Sequence, residues 1–352
     1  MSSSGYQSLD PEGMHQQIYT FAEQLERAYQ IAEKSLSDSV RSKASAVVIA
    51  GMGGSAIGGD LIKSLTADSA AVPIEVVRDY SLPDWVGHST IVICVSYSGN
   101  TEETLSCYSE AEERGSQLVG ITSGGELAER LRSDGGDLIE IPGGNPPRAS
   151  LGFVVIPTLV YLSQQGLCSA LNTDAIARAA ALVIEARSEF SKESDSNRTL
   201  KMAKKIYGSI PIIYGDARYT GSVALRFREQ LEENAKMVAF HHSLPEMNHN
   251  EIVGYLNNPE LLKNLGIVWL MDESQHPRTA LRQSLTKDLI GDIVGYQEQI
   301  HSMGSSLMER LFYLIHYCDW VSYWCAVLHG TDPTPVERIQ ALKESLSTGE
   351  EK

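Results

Sequence analysis

Ile91-Val92-Ile93-Cys94-Val95-Ser96-Tyr97-Ser98-Gly99-Asn100-Thr101-Glu102-Glu103-Thr104 is the stretch on which the reading of this chain turns. Five apolar, mostly β-branched residues open it and predict a buried parallel strand. Three hydroxyl side chains follow within six residues, at Ser96, Ser98 and Thr101. Gly99 allows a tight turn, and Asn100 with Glu103 resembles a capping box that starts a helix. A strand, a hydroxyl loop and a helix N-terminus in succession make an anion site, because free N–H groups and the helix dipole face the loop. The plain alternative is an ordinary polar βα turn. Three spaced hydroxyls at the carboxyl end of a strand favour phosphate.

Upstream, Ala46-Val47-Val48-Ile49-Ala50 reads as a second buried strand. It runs into Gly51-Met52-Gly53-Gly54-Ser55-Ala56-Ile57-Gly58-Gly59-Asp60, with five glycines in ten residues and a helix expected from about Ala56. Gly51-x-Gly53-x-x-Ala56 also fits a relaxed dinucleotide fingerprint, with Glu75 and Asp79 at the ribose-binding distance. A dinucleotide would leave the 96–101 loop without a task. Two loops that both end strands can instead converge on one small anionic ligand at a switch point of an open sheet. Further strands are expected at 74–77, 117–122 and 138–141, alternating with helices at 101–113 and 125–132. This rhythm predicts an α/β doubly wound parallel sheet. Next comes Pro142-Gly143-Gly144-Asn145-Pro146-Pro147-Arg148-Ala149-Ser150, a stiff loop suited to fixing one arginine, and then a helix over about 151–167.

The pattern restarts in the second half. Ile210-Pro211-Ile212-Ile213-Tyr214-Gly215 echoes the strand before Gly51, with a helix at about 219–234 and strands at 267–271 and 293–296. The chain thus divides into an N-terminal helical segment (1–37, one amphipathic helix from 11 to about 37), a first sheet domain (38–167), a helical linker (168–198), a second sheet domain of similar topology (199–330) and a C-terminal helix and tail (331–352). The apolar, aromatic helix at 305–328 is expected to be core or subunit interface, and the last helix, about 336–346, carries Lys343.

Bulk properties set limits. The 352 residues suit two domains with ample core. No apolar run is long enough to span a bilayer, and Met1-Ser2-Ser3-Ser4 does not open a signal peptide. The five cysteines form no CxxC and read as buried thiols in a reducing cytoplasm. A formal net charge of −16 argues against nucleic acid as a partner. It also means that a phosphate must be held by local donors rather than drawn in by a long-range field.

Two stretches offer proton chemistry. Glu232-Glu233-Asn234-Ala235-Lys236 ends a helix, and Pro245-Glu246-Met247-Asn248-His249-Asn250-Glu251 follows. Helix-end glutamates usually face solvent, and a lone histidine is usually a hydrogen-bonder. His249, between two asparagines, has polar neighbours able to fix its tautomer. A carboxylate with a histidine is equipment for moving a proton on a carbon beside a carbonyl. His241, His242 and His249 raise a metal site, but without HExxH or a nearby cysteine none is expected. No GxSxG elbow is present.

Gly51-Met-Gly-Gly-Ser-Ala-Ile-Gly-Gly-Asp60, Ser96-Tyr-Ser-Gly-Asn-Thr-Glu-Glu-Thr104, Glu233-Asn-Ala-Lys236 and Asn248-His-Asn-Glu251 together resemble the bifunctional phosphoglucose/phosphomannose isomerases of the sugar isomerase (SIS) superfamily. The resemblance runs from about residue 20 to 345. It implies two SIS-type domains, each a three-layer αβα sandwich. Gly53, Gly54 and Ser55 would lie against the substrate, and Ser96, Ser98 and Thr101 would hold its phosphate. Arg148 would stabilise the enediolate, and Glu233 would carry the proton between C1 and C2, with Glu232 as the alternative base. His249 would assist ring opening from the neighbouring subunit of a homodimer. Lys343 would act at the ring oxygen. The substrate would be a hexose 6-phosphate, with metal-free chemistry and no cofactor. The rivals are a non-catalytic sugar-phosphate sensor, an NAD-dependent enzyme, and an isomerase of another sugar phosphate.

Overall fold

The structure is a computed structural model that describes residues 6–36, 43–169 and 173–348. The chain opens with helices α1 (Met14–Tyr19) and α2 (Phe21–Ser35), then β1 (Ala46–Ala50), α3 (Gly53–Thr66), β2 (Ile74–Val77) and β3 (Thr90–Val95). It continues through α4 (Glu102–Glu113), β4 (Gln117–Thr122), α5 (Gly125–Asp134), β5 (Asp137–Glu140) and α6 (Leu151–Gln164). The helices α7 (Thr173–Phe190) and α8 (Arg198–Ile206) lead to β6 (Ile210–Asp216), α9 (Gly221–Ala235) and β7 (Phe240–Leu244). Last come α10 (Pro259–Leu262), β8 (Leu265–Met271), α11 (Pro277–Ile290), β9 (Tyr296–His301), α12 (Leu307–His329) and α13 (Glu337–Thr348).

Two all-parallel sheets result, in the orders β2-β1-β3-β4-β5 and β7-β6-β8-β9. The first four strands of each half follow the same winding. Alternate strand residues face opposite sides. In the first sheet Val47, Ile49, Ile91 and Ile93 face a core shared with α2, α3 and α6, while Val48, Ala50, Val92 and Cys94 face α4 and α5. In the second sheet Ile213, Val268 and Leu270 face that same shared core, and Tyr214, Ile267 and Trp269 face a smaller one. Each sheet is therefore covered on both faces, as all-parallel sheets must be. One face of each sheet meets in a single continuous core threaded by α12, whose residues from Met308 to Ala326 are all buried. All five cysteines are buried, and none of them forms a disulfide. No helix among the described residues is long and apolar enough to cross a membrane.

Several expectations need correction. The single N-terminal helix is broken at Thr20, whose hydroxyl bonds back to the carbonyls of Gln16 and Gln17 at 3.0 and 3.3 Å. The expected strand at 293–296 is instead β9, starting at Tyr296, because the chain from Gly291 to Ile293 is taken up by a 3-10 turn. β7, with the sequence FHHSL, was not expected at all. The linker over 168–198 is not one continuous helix: it breaks between α7 and α8, where Asn197, fully buried, donates to the carbonyls of Phe190 and Lys192 (2.8 Å each) and caps α8 through Thr199 N.

Candidate active site

β1 and β3 are neighbours in register, with Ala50 opposite Cys94, so the loops at 51–55 and 96–101 leave the same edge of the first sheet. Neither following helix has a side-chain cap. The expected capping role of Asn100 is not found. Its Oδ1 accepts from Glu126 N at 3.0 Å, while Thr101 occupies the N-cap position without a side-chain bond. The N-terminal turns of α3 and α4 thus keep N–H groups available for an incoming anion. Ser96 is buried, and its hydroxyl lies 2.8 Å from that of Thr101 and accepts from Gly99 N at 3.1 Å. Ser98 is exposed, and its hydroxyl accepts from Asn100 N at 3.3 Å. Gly99 has φ +73°, and a Cβ there would lie 1.8 Å from the carbonyl oxygen of Gly124, so only glycine fits.

The 3-10 turn Pro147–Ala149 carries Arg148 towards the second half. Gly54 makes room for it, since a Cβ there would sit 3.3 Å from the backbone of Pro147 and Arg148. The Arg148 side chain is buried, only 4% exposed, and fully engaged. Its Nε donates to Asn234 Oδ1 at 2.7 Å, and Nη1 reaches Glu233 Oε2 at 3.2 Å. Nη2 donates to the carbonyls of Pro333 and Thr334 at 2.7 and 2.8 Å. The Arg148 carbonyl in turn accepts from Arg226 Nη2 at 2.9 Å, and Arg226 pairs with the buried Asp319. Burial pulls the Arg148 guanidinium below its ordinary value, opposed by the Glu233 carboxylate. An arginine stays charged through such a shift.

Glu233 opens onto a cleft of about 770 Å³ lined by Gly53, Glu229, Glu232, Lys236, Asp332 and the first turn of α13, among others. The neighbouring Glu232 lines the same cleft but pairs with Arg228 at 3.6 Å, and burial raises its carboxyl above the usual range. Geometry therefore pairs Glu233, not Glu232, with Arg148. Lys236 also lines this cleft, and sequence reasoning quoted it only as part of a motif. Burial, helped by Arg148, lowers its ammonium to about 8.

Two expected residues do not join this group within one chain. His249 is exposed on the 3-10 turn Glu246–His249 and is not among the cleft's lining residues. Its neighbours do not hold it: Asn248 donates to Thr286 at 2.7 Å and Asn250 to Glu246 at 2.7 Å. His242, by contrast, is held by Glu251 at 2.6 Å. Lys343 is exposed on α13, beyond the turn that lines the cleft. No cluster of potential metal ligands occurs among the described residues.

In fold the chain is similar to a putative phosphosugar isomerase from Clostridium difficile 630, with a TM-score of 0.69 and 12% identity over 94% of this chain and 97% of that one. The two parallel sheets of this chain thus share the fold of that structure. Residues 195–346 match the family described as bacterial phospho-glucose isomerase C-terminal SIS domain. A bifunctional phosphoglucose/phosphomannose isomerase from Caldicellulosiruptor bescii is 40% identical over 95% of this chain and 99% of its own length. A protein of the same description from Aquifex aeolicus is 39% identical over 85% of this chain and 90% of its own. The chain belongs to the bifunctional phosphoglucose/phosphomannose isomerase family.

Proposed function

We propose that this protein interconverts glucose 6-phosphate and mannose 6-phosphate with fructose 6-phosphate through a cis-enediol. The reading rests on one observation above the others. The Glu233 carboxylate opens onto the cleft 3.2 Å from a buried guanidinium that the fold holds in place by three further hydrogen bonds. The loops at 51–55 and 96–101 anchor the phosphate through N–H groups and hydroxyls. Once the ring is open, Glu233 takes the C2 proton and returns it to C1. Arg148, its position already fixed, meets the negative charge that develops on the enediolate oxygen. A positioned base contributes roughly 10²–10⁴-fold, and orientation and the fixed charge must supply the remainder.

His249 and Lys343 act in this scheme at ring opening, with His249 reaching the cleft of a second copy. The exposed His249 turn supports this, as do its apolar surroundings in sequence, Phe240, Val253 and Leu256, which are 54, 72 and 75% exposed. Helix α13 also leaves Ile339, Leu342 and Leu346 exposed at helical spacing. A dimer would cover such surfaces. The acidic surface and buried thiols suit a reducing cytoplasm.

A panel of sugar phosphates assayed with wild type and Glu233→Gln tests the reading. Wild type should convert both hexose 6-phosphates, and the variant should bind them but turn over roughly 10²–10⁴-fold more slowly. Equal inertness of the two proteins, with binding intact, would leave a sensor rather than an enzyme. Shared sites have their own test. Mixing Glu233→Gln with His249→Ala subunits should restore activity, because one site of each mixed dimer then carries neither change. A mixture no more active than its components would place His249 outside the partner's site.

A further inference from the structure

Lys236 sits where a glycine would be expected. It ends α9 with φ 54° and ψ 30°, the left-handed region, and Met237 N closes the turn on the Leu231 carbonyl at 3.2 Å. Glycine adopts this conformation freely, whereas a residue with a Cβ is strained in it. Such strain tends to persist where the side chain has other work. The Lys236 side chain folds back over the helix end. Its Nζ donates to the carbonyl of Glu233 at 2.7 Å and, at 3.2 Å, to the carbonyl of Pro333. Arg148 Nη2 donates to that same Pro333 oxygen. One carbonyl is therefore shared by two cations, one from the first half of the chain and one from the helix that bears Glu233. The 333–334 segment leads directly into α13, whose first turn lines the cleft.

We infer that Lys236 is a positioning residue of the isomerase site: it fastens the 333–334 segment to the end of α9, and so fixes Arg148 relative to Glu233. The inference rests on the function proposed above. Removing the ammonium would free one side of Pro333 and let the guanidinium drift from the base. A displacement of this kind costs up to about 10²-fold in rate without removing any group that touches substrate. The groups facing Lys236 are Arg148 from the 147–149 turn, Glu233 on its own helix, Asp332 on the connecting segment and Glu337 at the start of α13. With its ammonium lowered to about 8, the clamp is charge-assisted at neutral pH and weakens as pH rises through that value.

Lys236→Gly separates the roles, because glycine suits the backbone and the variant should be at least as stable as wild type. Expected are a melting temperature no lower than wild type, a kcat about 10–100-fold lower and a KM changed much less. Wild-type kcat should decline above pH 8, and Lys236→Arg should keep most of the activity while moving that decline to higher pH. A Lys236→Gly protein with wild-type kcat and an unchanged alkaline limb would reduce Lys236 to a helix end and overturn the inference. An inactive wild type would instead overturn the function itself, so the two failures are distinct.

Discussion

The two halves share a winding order but treat the same positions in opposite ways. In the first, the loops after β1 and β3 carry glycines and hydroxyls, and the helices that follow have no side-chain cap. In the second, the corresponding loops after β6 and β8 each hold a buried carboxylate. Asp216 accepts from the N–H groups of Arg218, Tyr219 and Thr220, each at 3.0 Å, and from the Thr220 hydroxyl at 2.9 Å. Asp272 accepts from Ser274 N at 2.8 Å, Ser302 Oγ at 2.6 Å and Arg310 Nε at 3.0 Å. In the second half the turns after the two strands are therefore tied to the chain's own anions, although α9, like α3 and α4, has no side-chain cap. Of the two halves only the first leaves these turns free of an acidic plug, as the proposed phosphate site requires, and the second half contributes titratable side chains instead: Glu233, Lys236 and the partners of Arg148.

That contrast can be broken from either side. The largest effect belongs to Glu233→Gln, which should cripple turnover while leaving the anion loops able to bind. Next is Ser96→Asp, which gives the first half the plug found in the second. Its carboxylate would compete for the N–H groups and repel a phosphate at a cost of several kcal/mol. KM for glucose 6-phosphate should rise by roughly two orders of magnitude or more, with the melting temperature little altered, and steady-state kinetics with a thermal melt checks both. An unchanged KM would mean that the phosphate is held elsewhere. The smallest effect is expected from Asp216→Asn. It weakens the charged acceptor that ties together the start of α9 and should destabilise the fold by about 1–3 kcal/mol with KM unaffected. Denaturant unfolding beside a kinetic assay checks this, and a rise in KM would show that the second socket also serves the substrate.

Much of the first half was legible because buried parallel strands advertise themselves as apolar runs. β1, β2 and β4 fall on the residues expected from their sequences. The second half was harder. β7 contains two histidines and β9 reads YQEQIH, so neither looks buried alone. Their polar groups are satisfied by tertiary partners: Trp269 Nε1 donates to Gln297 Oε1 at 3.0 Å, and Gln297 Nε2 donates to two carbonyls near the end of α11. Helix α11 itself escaped because its apolar residues Leu281, Leu285 and Leu289 face outward, 44, 52 and 71% exposed. At the site, the two loops proposed to hold the phosphate were visible as motifs. The choice between Glu232 and Glu233 was not, since one residue of helix turns a side chain by about 100°. Lys236 gave no local sign either, because Pro333, whose carbonyl it shares with Arg148, lies 97 positions further on.

Arg148 is borne by one half of the molecule and gripped, main chain and side chain alike, by the other. A nascent chain that has emerged only as far as α6 would own both anion loops and this arginine, with nothing to hold the guanidinium in place. Competence would therefore arrive late in synthesis, once Pro333 and Thr334 have left the ribosome and closed over it.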